Sequence, residues 1–413
     1  MIYSSAMKYR IVTLGCRTNQ YESQGFSDQL RGMGYEEAQE GEAADLCIIN
    51  TCTVTDHADA ASRHRIRQLA RENPFARLVA TGCMVESAPD TLLKIDSRIE
   101  VVPNQEKEKL IEAIFPDVED LPEFKIERFE AHTRAFLKVQ DGCQSYCTYC
   151  IIPYVRGRSR SKKLEDVLNE AKGLIANGYK EIVLTGINIG DYEDGETRLA
   201  GLVRAVDGIE GLERLRISSI DPDEVDDALA DAVLLGRSTC PSMHLVLQSG
   251  SNVVLKRMNR KYTRQIFLDT ADRMKRQCPD FTVTTDVIVG FPGESDSDFE
   301  ETLEVVRHVK FAKVHVFPYS PRARTRAALY PNRIAPEVMK KRKNELLRLA
   351  EKCAFELRSS FVGREFPVLL EEGNEGHTPN FLKVRLQTPL AKNQVAWVEL
   401  IDNAPDALIG RLL

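Results

Sequence analysis

The sequence predicts an α/β protein in three parts: an N-terminal parallel α/β sheet domain, a central partial barrel of six β/α units, and a small C-terminal antiparallel β-barrel. Three observations support this fold class. Apolar runs alternate with helical patterns at the start, six further strand-then-helix units follow, and the last segment contains short strand-like runs separated by turns. The predicted domains are residues 1–120, 130–358 and 359–413.

Composition limits the class of protein. The 413 residues are too many for one ordinary core, and 43% hydrophobic and 29% charged residues are typical of globular proteins. Residues 1–10 lack the long apolar segment of a signal peptide, and no run approaches a membrane span. We therefore expect a cytoplasmic protein with no membrane partner. The net charge of −6 gives no global nucleic-acid signal, so any RNA contact must come from a local patch.

In the first part, strands are predicted at residues 9–14, 44–50 and 77–81, and helices near 23–33 and 56–71. A cysteine follows each of the three strands: Cys16, Cys52 and Cys83. Because the carboxyl ends of parallel strands meet at one edge of a sheet, the three are expected to form one site. In a reducing compartment they are better explained as ligands than as disulfides. The alternative is that each is a small buried hydrophobe, as we expect of Cys47 inside its strand.

A second group of cysteines lies in the segment from Asp141 to Cys150. It consists of Cys143, Cys147 and Cys150, and Tyr149 directly precedes the last cysteine. Three thiolates so close in sequence can hold one face of an iron–sulfur cluster, whereas a closed site needs a fourth ligand. The remaining iron can bind S-adenosylmethionine and lead to a 5′-deoxyadenosyl radical. The alternatives are a zinc knuckle with a distant fourth ligand, or three unrelated buried thiols.

The central part shows strands beginning near residues 135, 180, 212, 243, 281 and 312, and helices near 164, 197, 223, 263, 295 and 336. Six units are too few to close an eight-fold barrel, so an open barrel is predicted, with its chemistry on the loops after the strands. Glycine lets backbone amides approach a ligand, and polar side chains can hydrogen-bond its ribose or carboxylate. The predicted cofactor contacts, besides Tyr149, are Gly186, Asn188, Ser219, Gln248 and Asp286.

Three further segments complete the chain. Residues 115–134 have the composition of a linker. Residues 321–348 form a basic stretch that predicts either RNA contact or a solvated helix face; its cations are Arg322, Arg324, Arg326, Arg333, Lys340, Lys341, Arg342, Lys343 and Arg348. Predicted strands at 366–370, 381–386, 394–401 and 407–412 indicate the small C-terminal barrel.

Taken together, these motifs resemble those of the methylthiotransferase family of the radical S-adenosylmethionine superfamily, over all three domains. Cys16, Cys52 and Cys83 match the family's ligands of an auxiliary cluster, and residues 141–158 match its central motif. The last segment resembles the TRAM barrel, which binds RNA. Residues 14–23 and 50–55 most resemble the branch that modifies N6-threonylcarbamoyladenosine at position 37, beside the anticodon of tRNA.

The resemblance implies an enzyme with two [4Fe-4S] clusters and S-adenosylmethionine, and no catalytic residue beyond the cluster ligands. A radical made at the central cluster would remove hydrogen from C2 of the adenine. A sulfide on the auxiliary cluster, methylated by another S-adenosylmethionine, would supply the methylthio group. The implied partners are the anticodon stem-loop of tRNA and an electron donor such as flavodoxin or ferredoxin.

Two alternatives and three departures accompany the resemblance. The chain could instead methylthiolate isopentenyladenosine in tRNA or an aspartate of ribosomal protein S12, or it could be a non-catalytic iron–sulfur module that binds RNA. Arg324 stands where the related branch usually has glycine, Val246 where proline is common, and Asp221 where glutamate is usual. Of these, Arg324 bears most directly on the geometry of a substrate loop.

Overall fold

The structure is a computed structural model that describes residues 6–126 and 133–413. Its contacts divide the chain into two units. The first contains the described residues within 1–129 together with 141–160 and 320–328, and the second contains those within 130–140, 161–319 and 329–413. The loop of the central cysteines therefore belongs to the same unit as the front sheet. The three domain ranges stay a prediction.

The front sheet is parallel, with strand order β2-β1-β3-β4-β5. Its elements are β1 (Lys8–Thr13), α1 (Arg17–Gly32), β2 (Glu36–Glu37), β3 (Leu46–Thr51), α2 (Asp56–Glu72), β4 (Arg77–Gly82), α3 (Cys83–Ser87), α4 (Pro89–Leu93), β5 (Ile99–Val101) and α5 (Leu110–Ile114). Successive side chains of β3 enter the apolar clusters on opposite faces of the sheet, as the two-residue period of a strand requires. The parallel α/β fold predicted for this part is confirmed.

Helix α1 begins at Arg17, six residues before the predicted start at residue 23. The prediction was wrong there because the first two turns bury polar side chains, among them Asn19 and Glu22, which hide the apolar period of the helix. Cys16 occupies the N-cap position. As a result, the residues that follow Cys16 are fixed on a helix and do not lie in a loop.

The predicted linker is partly packed against the front sheet's helix. A Cβ atom on Gly25 would lie 2.3 Å from the ring of Phe124, and Gln29 donates to the carbonyl oxygen of Pro122 at 2.7 Å. The Phe124 ring also contacts the ring of Phe26, with centroids 6.0 Å apart. Residues 127–132 of this segment lie outside the described residues.

The central strands are parallel and follow the chain order, in two groups of three, β12-β9-β6 and β13-β14-β15. A bridge between Ile220 and Leu245 joins the two groups. The elements here are β6 (Arg134–Lys138), β7 (Gln140–Asp141), α6 (Ile152–Val155), β8 (Arg160–Ser161), α7 (Leu164–Ala176), β9 (Glu181–Thr185), β10 (Glu193–Asp194), β11 (Thr197–Arg198), α8 (Leu199–Asp207), β12 (Arg214–Ile217), α9 (Asp227–Leu234), β13 (Ser242–His244), α10 (Asn252–Arg257), α11 (Arg264–Gln277), β14 (Thr282–Val289), α12 (Asp296–Val309), β15 (Lys313–Pro318) and α13 (Pro336–Ser359). The predicted six-strand partial barrel is confirmed.

The C-terminal segment is a closed five-stranded barrel of order β16-β17-β18-β20-β19. Its strands are β16 (Glu365–Leu370), β17 (Glu375–His377), β18 (Lys383–Leu386), β19 (Val395–Asn403) and β20 (Leu408–Leu412). The predicted barrel is confirmed, but β18 and β20 pair in parallel. A closed ring with an odd number of strands cannot alternate direction throughout, so one parallel pair is unavoidable. Strand β17 was not predicted because it has three residues and no apolar alternation.

The loop between β17 and β18 lies against the amino ends of the central strands, within the second unit. Arg216 donates to the carbonyl oxygen of Pro379 at 3.0 Å, and the guanidinium groups of Arg134 and Arg216 lie 5.1 and 4.7 Å from the centroid of the Phe381 ring. Arg216 also pairs with Glu181 at 2.9 Å. Burial disfavours the Glu181 carboxylate, but Arg216 outweighs it and lowers the pKa of Glu181 to about 2.

Candidate active site

The front cysteines lie at the carboxyl ends of three adjacent strands. Cys16 follows β1, Cys52 follows β3, and Cys83 directly follows β4 as the first residue of α3. Cys52 and Cys83 are buried and Cys16 is exposed. Cys52 lies close enough to Cys16 and Cys83 to feel the charges of both, and Cys83 feels the charge of Cys16. The sheet therefore gathers them at one edge, as the sequence predicted, while their role as ligands stays a prediction.

The environment of the two buried thiols opposes their ionisation. Burial raises the pKa of Cys52 to about 11 and also raises the pKa of Cys83. For Cys83, the charges of Arg156 and Lys107 act against burial. Metal ligation requires the thiolate, so a positive centre at this edge is what would bring these side chains into their ligand form.

Glycines immediately before two of the cysteines allow the close approach. Gly15 has φ +97° and Gly82 has φ +101°, a region that favours glycine. A Cβ atom on Gly15 would lie 2.9 Å from Sγ of Cys52, and one on Gly82 would lie 2.4 Å from the carbonyl oxygen of Thr51. Any other residue at Gly82 would push β3 and β4 apart at the point where the cysteines meet.

We expect Gly82→Ala to lower the free energy of unfolding by about 3 kcal/mol, from left-handed strain together with the clash against β3. Gly41→Ala is the control, because Gly41 also has positive φ, +80°, but a Cβ atom there would have no neighbour within 4 Å. Denaturant unfolding of the two variants should show the smaller loss, about 1–2 kcal/mol, for Gly41→Ala. Equal losses would contradict a close contact at Gly82.

Buried charges lie behind the front cysteines. The side chains of Arg156 and Glu22 are each 1% exposed and pair at 3.1 Å, and Lys107, 2% exposed, pairs with Glu22 at 2.6 Å. Arg156 also contacts Asp141 at 2.8 Å and donates to Oδ1 of Asn19 at 2.6 Å. Although burial disfavours its charge, Glu22 and Asp141 keep the pKa of Arg156 well above its usual value. The network joins helix α1 to the segment on both sides of the central cysteines, a connection that sequence spacing did not indicate.

The central cysteines lie in a compact loop. The backbone N–H of Cys143 donates to the carbonyl oxygen of Gly157 at 3.1 Å, and that of Cys150 to Cys147 at 2.9 Å. Gly142, with φ +71°, leaves no room for a Cβ atom, which would lie 2.1 Å from the carbonyl oxygen of Arg158. All three cysteines are half-buried. Within the described ranges, no group of three His, Cys, Asp or Glu side chains is arranged to hold a metal ion.

Segment 320–328 packs beside this loop in the first unit. The backbone N–H of Ala327 donates to the carbonyl oxygen of Thr148 at 2.9 Å, next to the half-buried Tyr149. Arg324 has φ +71° and its guanidinium lies 4.9 Å from the centroid of the Tyr154 ring. The left-handed backbone at this position favours glycine, and the ring contact stabilises arginine there by about 0.5–1 kcal/mol.

In the second unit, Gly186 and Asn188 lie close to two residues that the sequence analysis did not identify. Oε1 of Gln140 accepts from the backbone N–H groups of Ile187 and Asn188, both at 2.9 Å, and a Cβ atom on Gly186 would lie 2.9 Å from the same oxygen. The Asn188 side chain donates to Glu224 at 3.1 Å. Burial, with Asp221 nearby, raises the pKa of Glu224 to about 7. Glu224 follows β12, so an acidic residue after a barrel strand was the available signal.

The remaining predicted contacts lie after β12 and around β14. Ser219 is exposed in the loop after β12. Gln248 has φ +60°, and its backbone N–H donates to the carbonyl oxygen of Asp286 at 2.9 Å. Oε1 of Gln248 is buried without a hydrogen-bond donor in the described part of the chain. The structure thus places Gln248 beside Asp286, whose carboxylate lies 3.4 Å from Nε2 of His244.

Two members of the basic stretch are engaged inside the protein, which corrects the prediction for them. Arg342 is buried and pairs with Glu294 at 2.6 Å, and Arg322 pairs with Asp59 at 2.7 Å. Neither guanidinium is therefore available to a phosphate. On α13, Lys340 and Lys341 are exposed and Lys343 is half-buried, and none of the three forms a salt bridge with any described residue.

Family models match two parts of the chain. The Radical SAM superfamily model matches residues 137–306, and a model described as Uncharacterized protein family UPF0004 matches residues 8–103. The first covers the central cysteines and most of the partial barrel. The second covers the front sheet with its three cysteines.

No helix among the described residues combines the length and the apolar character needed to cross a membrane.

Relatives match over almost the whole chain. The threonylcarbamoyladenosine tRNA methylthiotransferase MtaB of Chlamydia pneumoniae is 48% identical over 98% of both chains. The protein of that name from Bacillus subtilis is 37% identical over 90% of this chain and 88% of its own. A tRNA-2-methylthio-N(6)-dimethylallyladenosine synthase of Thermoanaerobacter pseudethanolicus is 34% identical over 98% of this chain and 88% of its own.

Solved structures share the fold. The radical S-adenosylmethionine methyltransferase TsrM of Kitasatospora setae, solved with cobalamin and a [4Fe-4S] cluster bound, has a TM-score of 0.58 and covers 77% of each chain at 15% identity. At this identity the similarity shows the fold alone.

Proposed function

Because this chain belongs to the methylthiotransferase family of the radical S-adenosylmethionine superfamily, a family of enzymes that use S-adenosylmethionine and [4Fe-4S] clusters, we propose that it methylthiolates C2 of N6-threonylcarbamoyladenosine at position 37 of tRNA, giving 2-methylthio-N6-threonylcarbamoyladenosine. The observation that carries this choice of substrate is the 48% identity, over 98% of both chains, to a relative named for that nucleoside. The relative named for dimethylallyladenosine is 34% identical.

The side chains present have the donor chemistry that two clusters require, although no three of them in the described ranges are arranged to hold a single metal ion. Cys143, Cys147 and Cys150 lie in one loop that glycine at residue 142 allows to close. Their thiols are half-buried, which suits a cluster that must also bind S-adenosylmethionine. Cys16, Cys52 and Cys83 provide the second set, beside two buried cations that would favour an anionic group. S-adenosylmethionine at a reduced cluster supplies the radical that can break an unreactive carbon–hydrogen bond.

The protein's own side chains would position these groups. Gly186, Asn188, Ser219, Gln248 and Asp286, all in the second unit, are the proposed contacts to S-adenosylmethionine. Gln248 is the best supported, since its buried side-chain oxygen has no donor among the described residues. Glu224 joins them as the residue that holds the Asn188 side chain.

The partners follow from the reaction. We assign the anticodon stem-loop of tRNA as the part that enters the site, because residue 37 lies beside the anticodon. An electron donor such as flavodoxin or ferredoxin would reduce the cluster, and the cytoplasm is the compartment where tRNA and these donors meet.

The substrate is tested with purified enzyme, S-adenosylmethionine, a reductant and a sulfide source. We expect a methylthio group to appear on N6-threonylcarbamoyladenosine of whole tRNA, seen as the heavier nucleoside by mass spectrometry of digested tRNA. Matched tRNA without the threonylcarbamoyl group should react poorly or not at all. A mass gain on isopentenyladenosine, or on ribosomal protein S12, would show that the substrate is wrong although the chemistry is right.

Binding of tRNA is expected to depend on three lysines of α13 that form no salt bridge with a described residue. Replacing Lys340, Lys341 and Lys343 with glutamate should weaken binding and lower the slope of log affinity against log salt by about one for each lysine that neutralises a phosphate. The charge-matched control replaces three exposed lysines elsewhere in the second unit, Lys163, Lys172 and Lys256. An identical slope in both triple variants would assign the α13 lysines to a solvated helix face.

A further inference from the structure

One polar atom of the buried charge network is not satisfied by its neighbours. The terminal nitrogens of Arg156 donate to Glu22, Asp141 and Asn19, all within the first unit. The third nitrogen, Nε, is buried and has no hydrogen-bond acceptor among the described residues. Leaving such a donor unpaired destabilises a folded protein, most of all on a charged group, so its retention calls for an explanation.

The same guanidinium lies beside the front cysteines. Cys83 packs in one cluster with Val155, the residue before Arg156, and the charges of Cys83 and Cys16 act on the guanidinium. Arginine stays protonated in proteins, so this side chain is a fixed positive charge with an N–H to donate. The thiolate and sulfide sulfurs of an iron–sulfur cluster accept such hydrogen bonds, and these bonds help to set the reduction potential of the cluster.

We propose that Arg156 is a positioning residue that donates its Nε hydrogen bond to a sulfur of a cluster held by Cys16, Cys52 and Cys83, and thereby raises the reduction potential of that cluster. The inference rests on the proposed function, because it requires a cluster at this edge of the sheet. A hydrogen bond to a sulfur stabilises the more negative, reduced state, which is why the potential rises.

The contacts of Arg156 explain how the donor is held in place. Glu22 and Asn19 lie on α1, within two turns of Cys16, and Asp141 lies two residues before Cys143. One buried side chain therefore connects the segments that carry both cysteine groups in the first unit. These contacts of Arg156 hold the N-terminal turns of α1 against the ends of the central cysteine loop.

A variant of Lys107 can distinguish the effect of a buried positive charge on the cluster from the effect of the Arg156 hydrogen bond. Its ammonium group pairs with Glu22 at 2.6 Å and lies 3.3 Å from Oδ1 of Asn19, so it belongs to the same network. Its charge acts on Cys83, as that of Arg156 does. Lys107→Gln removes a buried charge and keeps Nε of Arg156, whereas Arg156→Lys keeps the charge and removes Nε.

The test uses full-length protein in which Cys143, Cys147 and Cys150 are alanine, so that iron binds only at the front cysteines. After reconstitution, each variant is titrated with reductant under electron paramagnetic resonance, and protein labelled with ¹⁵N-arginine is searched for a ¹⁵N coupling to the reduced cluster. We expect a coupling in the parent and in Lys107→Gln. In Arg156→Lys the coupling should disappear and the potential should shift to a lower value.

Each outcome decides between the inference and its premise. Two outcomes would overturn the role of Arg156 and leave the cysteine assignment standing. In the first, the parent protein binds iron but shows no ¹⁵N coupling. In the second, Arg156→Lys leaves both the coupling and the potential unchanged. A parent that binds no iron would overturn the cysteine assignment as well. If Arg156→Lys fails to fold, the second variant is Arg17→Lys, because Arg17 is the arginine next to Cys16. A ¹⁵N coupling that persists in Arg17→Lys supports Arg156 as the donor. Loss of the coupling in Arg17→Lys excludes Arg156.

Discussion

Replacing Cys143, Cys147 and Cys150 with alanine is expected to abolish the formation of 5′-deoxyadenosine and to remove about half of the bound iron. The three thiols share one short loop, and nothing else in that loop offers thiolate ligands for a cluster. Without the cluster, no electron can enter the sulfonium of S-adenosylmethionine. Iron assay of anaerobically reconstituted protein and chromatography of the nucleoside product provide the measurement.

A matched control for this variant is Cys278→Ala, because Cys278 is also half-buried but lies in the second unit, at the C-cap position after helix α11. It should keep all the iron and full 5′-deoxyadenosine formation. Unchanged iron in the triple variant would refute the central cluster. If the iron is lost and cleavage of S-adenosylmethionine continues, the radical chemistry must start elsewhere.

The second large effect is that 5′-deoxyadenosine formation and methylthiolation of the nucleoside become separable. Replacing Cys16, Cys52 and Cys83 with alanine should leave 5′-deoxyadenosine formation largely intact. The methylthiolated nucleoside should fall by more than ~100-fold, because the loss of outer partners of a metal site alone costs 10–100-fold. Both products can be measured in one reaction by mass spectrometry.

Cys47→Ala is the control for the front cysteines. Cys47 is buried within β3, five residues before Cys52, in an apolar cluster, and burial raises its pKa to about 12. It behaves as the small hydrophobe that the sequence predicted, and its replacement should cost stability without separating the two products. Loss of both products in the front triple variant, in folded protein that keeps the central cluster, would show that radical formation also needs the front site.

The sequence predicted the strands well because their signal is local. The β3 run is apolar at successive positions, and the cysteine after it marks the strand end, so both could be identified within a few residues. The start of α1 was missed because Asn19 and Glu22 are polar and buried. Their burial is explained by cations far along the chain, Lys107 and Arg156, the second of which lies 134 residues after Glu22. No local pattern indicates such a pairing.

Other parts of the site were hidden for the same reason. The basic stretch is a uniform run of cations in the sequence, yet Arg342 lies within an ion pair with Glu294, 48 residues away. Arg324 was identified from the sequence as a cation of this stretch and as a departure from glycine, whereas its φ of +71° and its contact with the Tyr154 ring became known only from the structure. Charge counts show how many ions a segment has, but tertiary packing decides which of them face water.

The contact between the small C-terminal barrel and the central strands limits how this protein can be divided or recombined. Removing residues 359–413 would uncover Arg214, Arg216 and Glu181, whose side chains are at most 5% exposed. The Phe381 ring beneath Arg216 would also be removed. A barrel borrowed from another protein would have to bring its own version of the loop between β17 and β18. The C-terminal barrel and the central strands are therefore expected to be inherited, and engineered, as a single block.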